Sequence, residues 1–236
     1  HRACGTNMWR SAIRFGCVSY CLVSRPRNIP PERAARENPA RRRGACLGFR
    51  HMRFPTVLAL ASDLSAGRTT SRRLVEQCLT RINDPKGEGA RAFTKVYADS
   101  ALAEADASDK LRALGVVRSP VEGIPISVKD LFDVAGDRTL AGSKALRSAA
   151  PATADAPAVA RLRAAGAIIV GRTGMVEFAF GGVGINPHYG TPKNPWDRAS
   201  GGRIPGGSSS GAAVAVADGM CANPNPNSNP SPVPNH

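Results

Sequence analysis

A chain of 236 residues with 42% hydrophobic and 5% aromatic residues is long enough for one sizeable domain, its core resting on Ala, Val, Leu and Ile. Its apolar runs, such as Ala167 to Val170 and Ala212 to Ala217, fall far below the ~18 residues of a membrane span. Its six cysteines form no C-x-x-C pair and have no His partner at zinc spacing, so neither a metal site nor a disulfide scaffold is indicated and a reducing, cytoplasmic setting fits.

The net charge of +14 suggests nucleic acid until it is mapped. Residues 1–51 carry eleven Arg, no Lys and two Glu, a net of +9 that leaves +5 for the rest. No basic helix face interleaved with aromatics follows, so no nucleic-acid partner is expected for residues 52–220. The first 51 residues hold Pro26, Pro30, Pro31, Pro39 and Arg41-Arg42-Arg43 with no sustained period. They read as an Arg-rich leader, either a targeting segment or translated upstream sequence. Met52, which opens the first ordered segment, favours the second account.

From Met52 the pattern changes. Leu58, Leu60, Ala61 and Leu64 fall on one face of a short helix that Gly67 ends in the left-handed conformation. Thr70 or Ser71 caps a second helix, where Leu74, Val75, Cys78, Leu79 and Ile82 form one stripe at helical spacing. Burial is the expected role of Cys78. Asn83-Asp84-Pro85 closes that helix, Phe93 to Val96 reads as a strand, and Ser100 to Leu114 reads as a helix. Its acids Glu104 and Asp106 come early and Lys110 and Arg112 late, as the helix dipole favours.

Gly123 to Asp130 is a turn feeding a strand that ends in Lys-Asp. Asp155 to Ala165 is predicted as a helix with Val159 and Leu162 inside, stopped by Gly166. Ala167 to Val170 is a strand covered on both faces. Gly171-Arg172-Thr173 is expected to turn into a short helix over Gly174 to Phe178. Strand and helix alternate as in an α/β fold with a mixed sheet flanked by helices. Gly181 to Arg203 is a long loop with embedded aromatics, expected to be ordered and functional. Beyond Met220 a Pro/Asn/Ser tail, residues 221–236, reads as disordered.

Chemistry gathers at Gly201 to Gly211, where glycines and the hydroxyls of Ser208, Ser209 and Ser210 run into a small-residue helix over Ala212 to Ala217. Composition alone suggests a linker, but its junction with an apolar helix makes it one packed unit with a site. It lacks the Gly-Lys-Ser/Thr of a P-loop and the G-x-S-x-G of a nucleophile elbow. His188 reads as a structural or solvated loop residue, and Asp130, Asp133 and Asp137 as turn and solvated residues rather than metal ligands. Lys129 has two readings: a surface lysine just past the strand, or a desolvated neutral amine acting as a base, which burial and hydroxyl partners would favour.

The segments Gly123 to Asp130, Ala141-Gly142-Ser143, Gly184 to Pro192 and Pro205 to Gly211, in this order, resemble the amidase signature family over roughly Met52 to Met220. The resemblance implies that family's α/β fold, here incomplete, and its Ser–cis-Ser–Lys triad, which hydrolyses or transfers the acyl group of amides without a cofactor. By position Lys129 resembles the catalytic lysine and Ser208 the cis-serine. Gly206 and Gly207 resemble the glycines that shape the loop, while Ser209 and Ser210 look supportive. The implied partner is a small-molecule amide. The A subunit of the glutamyl-tRNA(Gln) amidotransferase shares these motifs and is an alternative, as is a non-catalytic fragment.

One departure stands out. The family pattern puts its nucleophilic serine where this chain has Pro232. Neighbouring Ser231 lies between two prolines, with no glycines to form an oxyanion turn. The expectation is therefore a truncated or frameshifted chain that lacks the nucleophile and is inactive by itself.

Overall fold

Apolar stripes at helical spacing need a partner surface, and an unbroken apolar strand needs cover on both faces. A computed structural model of the chain, which describes residues 55–196 and 198–222, supplies both. The Arg-rich leader and the part of the tail beyond Ala222 lie outside the described residues.

Helix α1 (Val57–Ser65) is capped by Thr56, whose hydroxyl accepts from Ala59 N. Gly67, at φ 66°, ends the turn beyond it. Leu60 and Leu64 are buried, but Leu58 is 62% exposed and does not belong to the predicted face. Helix α2 (Ser71–Ile82) starts at Thr70, whose hydroxyl accepts from Arg73 N. All five residues of its predicted stripe are buried. Burial pushes the Cys78 thiol up to about 12, so it stays a protonated core residue at neutral pH. A single turn, α3 (Gly89–Ala92), leads into strand β1 (Phe93–Val96), and helix α4 (Ala98–Ala113) follows.

Strand β2 (Pro125–Lys129), helix α5 (Pro157–Ala164) and strand β3 (Ile168–Thr173) form a parallel crossover unit. The sheet order is β1-β3-β2, with β1 antiparallel to β3. Every residue of β3 is buried. Ile168 and Val170 pack with α2, α4 and helix α6 (Ser210–Ala217), while Ile169 packs with Val128, Val134 and Val159. Both faces are covered, which is why this strand reads as a continuous apolar run.

β3 also runs further than its apolar run suggests. Residues 171–173 stay in the strand and pair with β1 and β2, and the expected helix after them is only a 3-10 turn over Glu177–Ala179. Hydrogen bonding on both edges outweighs the local turn preference of Gly171. That glycine is required by close approach, because a Cβ there would lie 2.4 Å from Lys95 O. Leu162, predicted inside α5, is 37% exposed, since the helix is short and Val159 alone carries its buried face. Packed order continues past Met220 through Cys221 and Ala222, both buried, with Ala222 N donating to Pro125 O at 2.9 Å.

Candidate active site

Parallel pairing sets the position of the lysine. Lys129 is the last residue of β2, in register with Thr173 at the end of β3. Thr173 donates to Val128 O at 3.3 Å, and Asp130 N donates to Thr173 O at 3.1 Å. The side chain of Lys129 leaves the sheet where both strands end, and the residue is half-buried.

Ser208 reaches it from 79 residues away in sequence. Its loop is held by main-chain bonds: Gly207 N donates to Gly182 O at 2.8 Å, Val176 N to Ser208 O at 3.0 Å, and Gly211 N to Gly174 O at 2.9 Å. Gly211 admits no side chain, because a Cβ would lie 2.2 Å from Ala92 O. Gly206 has φ 78°, and the Gly207–Ser208 peptide is cis. Gly207 lies against the backbone of Gly184 and the side chain of Val176. Ser209 precedes α6 as its cap residue without a side-chain cap bond, and Ser210 opens the helix and is buried. Within this frame Lys129 Nζ donates to Ser208 Oγ at 2.7 Å.

Around this contact stands a shell that sequence reasoning did not assign. Asn186 is buried and uses both ends of its amide. Nδ2 donates to Gly142 O at 2.8 Å and Met175 O at 2.7 Å, and Oδ1 accepts from His188 N and Tyr189 N. The Asn186-Pro187 pair was the available signal, since Asn before Pro favours a turn held by its own side chain. Ser143 donates to Glu177 Oε1 at 2.6 Å, and His188 Nε2 lies 3.2 Å from the same oxygen. The bond from Ser143 holds the Glu177 carboxyl below the usual carboxylate range. His188 is thus tied into the loop, as a structural reading expects. Ala141 and Phe178, both at φ 50°, meet through Phe178 N donating to Ala141 O at 2.8 Å.

Asp130 is the main correction to the acidic residues. It is no solvated turn residue: it is 1% exposed and accepts from Arg172 Nε at 2.8 Å. Arg172 lies inside β3 opposite Val128, not in a turn, so its guanidinium reaches under the strand end. Burial pushes the Asp130 carboxyl up, and Arg172 pulls it part of the way back. Asp133 accepts from the Thr139 hydroxyl at 2.6 Å, and Asp137 from the Tyr97 hydroxyl at 2.6 Å. Among the described residues, no group of three or more His, Cys, Asp or Glu gathers to hold a metal. No helix there is long and apolar enough to cross a membrane.

A half-buried lysine bonded to a serine of a Gly-Gly-Ser-Ser loop invites comparison with known proteins. Residues 73–223 match the family described as Amidase. The chain belongs to the amidase signature family. Among its curated relatives in that family, AtzE of Pseudomonas sp. (strain ADP), a 1-carboxybiuret hydrolase subunit, is 47% identical over 164 residues. The match covers 70% of this chain and 35% of that relative. The A subunit of the glutamyl-tRNA(Gln) amidotransferase of Chromohalobacter salexigens is 43% identical over 72% of this chain and 34% of its own length. Among solved structures, the peptide amidase of Stenotrophomonas maltophilia superposes with a TM-score of 0.60 at 37% identity, covering 70% of this chain and 34% of that one. A vestigial complex connected with the origins of an s-triazine catabolic enzyme gives a TM-score of 0.66 at 44% identity, covering 71% and 36%. The mixed sheet with flanking helices is thus the amidase signature fold over part of its extent. The chain spans about a third of the length of these relatives.

Proposed function

We propose that this chain carries the lysine and the relay serine of an amide hydrolase that works through an acyl-enzyme. The observation that carries the reading is the 2.7 Å contact between Lys129 Nζ and Ser208 Oγ at the paired ends of β2 and β3. A neutral amine can accept from the hydroxyl it otherwise donates to, so the contact is a proton path in either direction. Lys129 takes a proton from Ser208 while Ser208 takes one from the nucleophilic serine, which bonds to the amide carbonyl carbon. The same path returns a proton to the leaving nitrogen as the C–N bond breaks. Gly206 and Gly207 shape the loop that presents Ser208, and Ser209 and Ser210 anchor that loop to α6. The substrate class is a small-molecule amide, and no step calls for a cofactor.

In this reading Lys129 and Ser208 are two members of the triad, and the described residues assign no third. Residues 52–220, with Cys221 and Ala222 packed behind them, act as the amino-terminal catalytic part, while residues 1–51 take no part in the chemistry. A fluorophosphonate probe is expected to leave the 236-residue chain unlabelled, and labelling at Ser208 or Ser231 would overturn this. A chimaera carrying a relative's downstream segment after Ala222 should hydrolyse amides. Lys129→Ala in it should lower kcat by about 10²–10⁴-fold, the range of general acid–base catalysis. Full activity in that variant removes Lys129 from the mechanism.

The amidotransferase reading is the second one, favoured by the 43% identity to the Chromohalobacter salexigens protein. Release of ammonia from glutamine in preference to simple amides by the chimaera would select it. No hydrolysis at all by a folded chimaera would favour a non-catalytic fragment.

A further inference from the structure

A lysine that must lose its proton is poorly served by an anion beside it, because a nearby opposite charge favours the ammonium. Asp130 follows Lys129 directly and is buried, where its field is weakly screened. The structure answers this charge with Arg172, itself 1% exposed. Nε donates to Asp130 Oδ1 at 2.8 Å and Nη2 to Phe132 O at 3.0 Å. From the rules of charge alone, the pair presents Lys129 with no net anion.

We infer that Arg172 is a positioning residue for the proton path: by neutralising Asp130 it makes it easier for Lys129 to give up its proton and act as a base toward Ser208. The inference rests on the reading of Lys129 as that base. A buried pair of this kind brings little net stability over apolar residues of the same volume, so its effect lies in the charge it places.

Asp130 also reaches Ser208 through bonds. Ala141 N donates to Asp130 O at 2.9 Å, and Gly142 N lies 3.4 Å from Asp130 Oδ2. Phe178 N donates to Ala141 O, and Val176 N, two residues earlier, donates to Ser208 O. Among the described residues, the nearby carboxylates Asp137 and Glu177 have partners of their own. From β1, Lys95 donates to Asp137 at 2.9 Å and Tyr97 donates to the other Asp137 oxygen. Asp137 lies 3.9 Å from Arg172 Nη1, which has no hydrogen-bond partner among the described residues. In the 3-10 turn after β3, Glu177 is met by Ser143 and His188. Loss of Arg172 would leave the buried carboxylate of the residue that follows Lys129 without this ion-pair partner.

Competitive labelling of the 236-residue chain with trace acetic anhydride, read by peptide mass spectrometry across a pH series, gives the titration midpoint of Lys129 without any turnover. In the unmodified chain Lys129 should titrate below the exposed lysines. Arg172→Met should raise its midpoint by about one pH unit and Asp130→Asn should lower it by about as much, since the first uncovers an anion and the second a cation. The double variant should return close to the starting value, and Arg172→Lys should hold it. Opposite signs cannot come from lost structure, which would move Lys129 toward the exposed lysines in both single variants. Shifts in one direction, or none, in folded variants overturn the inference. Should the Arg172→Met chain fail to fold by circular dichroism, Arg172→Lys against Asp130→Asn decides. An unmoved midpoint beside a lowered one supports the inference, and any other pattern overturns it. A Lys129 that titrates with the exposed lysines in the unmodified chain overturns the base reading itself.

Discussion

On the helical side, α2 buries Val75 and Leu79 against the sheet and α4, while Leu60, Leu64 and Leu74 of α1 and α2 pack together with Ile124 and Ala222, and area removed from water does the holding. The loops that carry Lys129's surroundings, residues 130–143 and 174–209, leave Phe178, Phe180, Val183 and Ile185 exposed. Beside the buried Val134, Met175 and Val176, they are held by directed bonds from Asn186, Asp130, Ser143 and the main chain. Apolar burial is non-directional and tolerates a shift of a few tenths of an ångström. A hydrogen bond fixes direction as well as distance. The division therefore puts stability in one region and placement in the other, with the Lys129–Ser208 contact in the second.

The largest effect should come from the helical side. Leu64→Ala should cost about 2–5 kcal/mol of global stability, as core truncations do, measured by urea denaturation. The labelling midpoint of Lys129 should stay unchanged under native conditions; a moved midpoint would mean that the two regions are not separable. Asn186→Ala should act the other way. Leaving Gly142 O and Met175 O without their donor should cost about 1–3 kcal/mol. Hydrogen exchange should speed up at the amides of His188 and Tyr189, which lose their acceptor, while α2 and α4 keep their protection.

Acid should loosen both regions together, because a clamped glutamate touches each: Glu122 accepts from Ser108 of α4, and Glu88 accepts from Lys193 N in the long loop. Burial alone would raise the Glu88 carboxyl. The bonds from Arg91 and Lys193 N outweigh it and hold the group below its ordinary range. Glu122, bonded by Arg118 and Ser108, is lowered in the same way against burial. Both folded values lie below the unfolded value of about 4.3, so their stabilisation is present above that pH and lost as pH falls through the folded values. Thermal melts should show Tm falling in that acid window, and Glu88→Gln with Glu122→Gln should flatten the fall. The smallest effect belongs to the α2 cap. Thr70→Ala should cost about 1 kcal/mol, seen as a modest Tm shift with no change at the Lys129 contact.

Much of the helical side was legible in the residues. The α2 stripe, its Thr70 cap and the Gly67 stop follow from period and local conformation, which three or four neighbouring residues decide. Leu58 and Leu162 were misassigned because a helical face is wider than the surface that meets it, and the partner's shape is not written in the helix. The site was legible at its two ends: a strand closing on Lys129 and a serine loop entering α6. Arg172 was hidden for a specific reason. A charged residue after a glycine reads as a turn, and only pairing with β1 and β2 keeps it in the strand. Asp130 was misread with it, since each is buried only because the other is present.

Most element types, the family and the two residues that meet at the site can be read from the residues alone, because periodicity, caps and loop chemistry act over a few residues. Tertiary contacts were needed to bring Lys129 Nζ within 2.7 Å of Ser208 Oγ and to bury Asp130 against Arg172. Those facts depend on strand register and on bonds between segments tens of residues apart. Register is set by the packing of both faces of β3, which no single stretch of the chain contains.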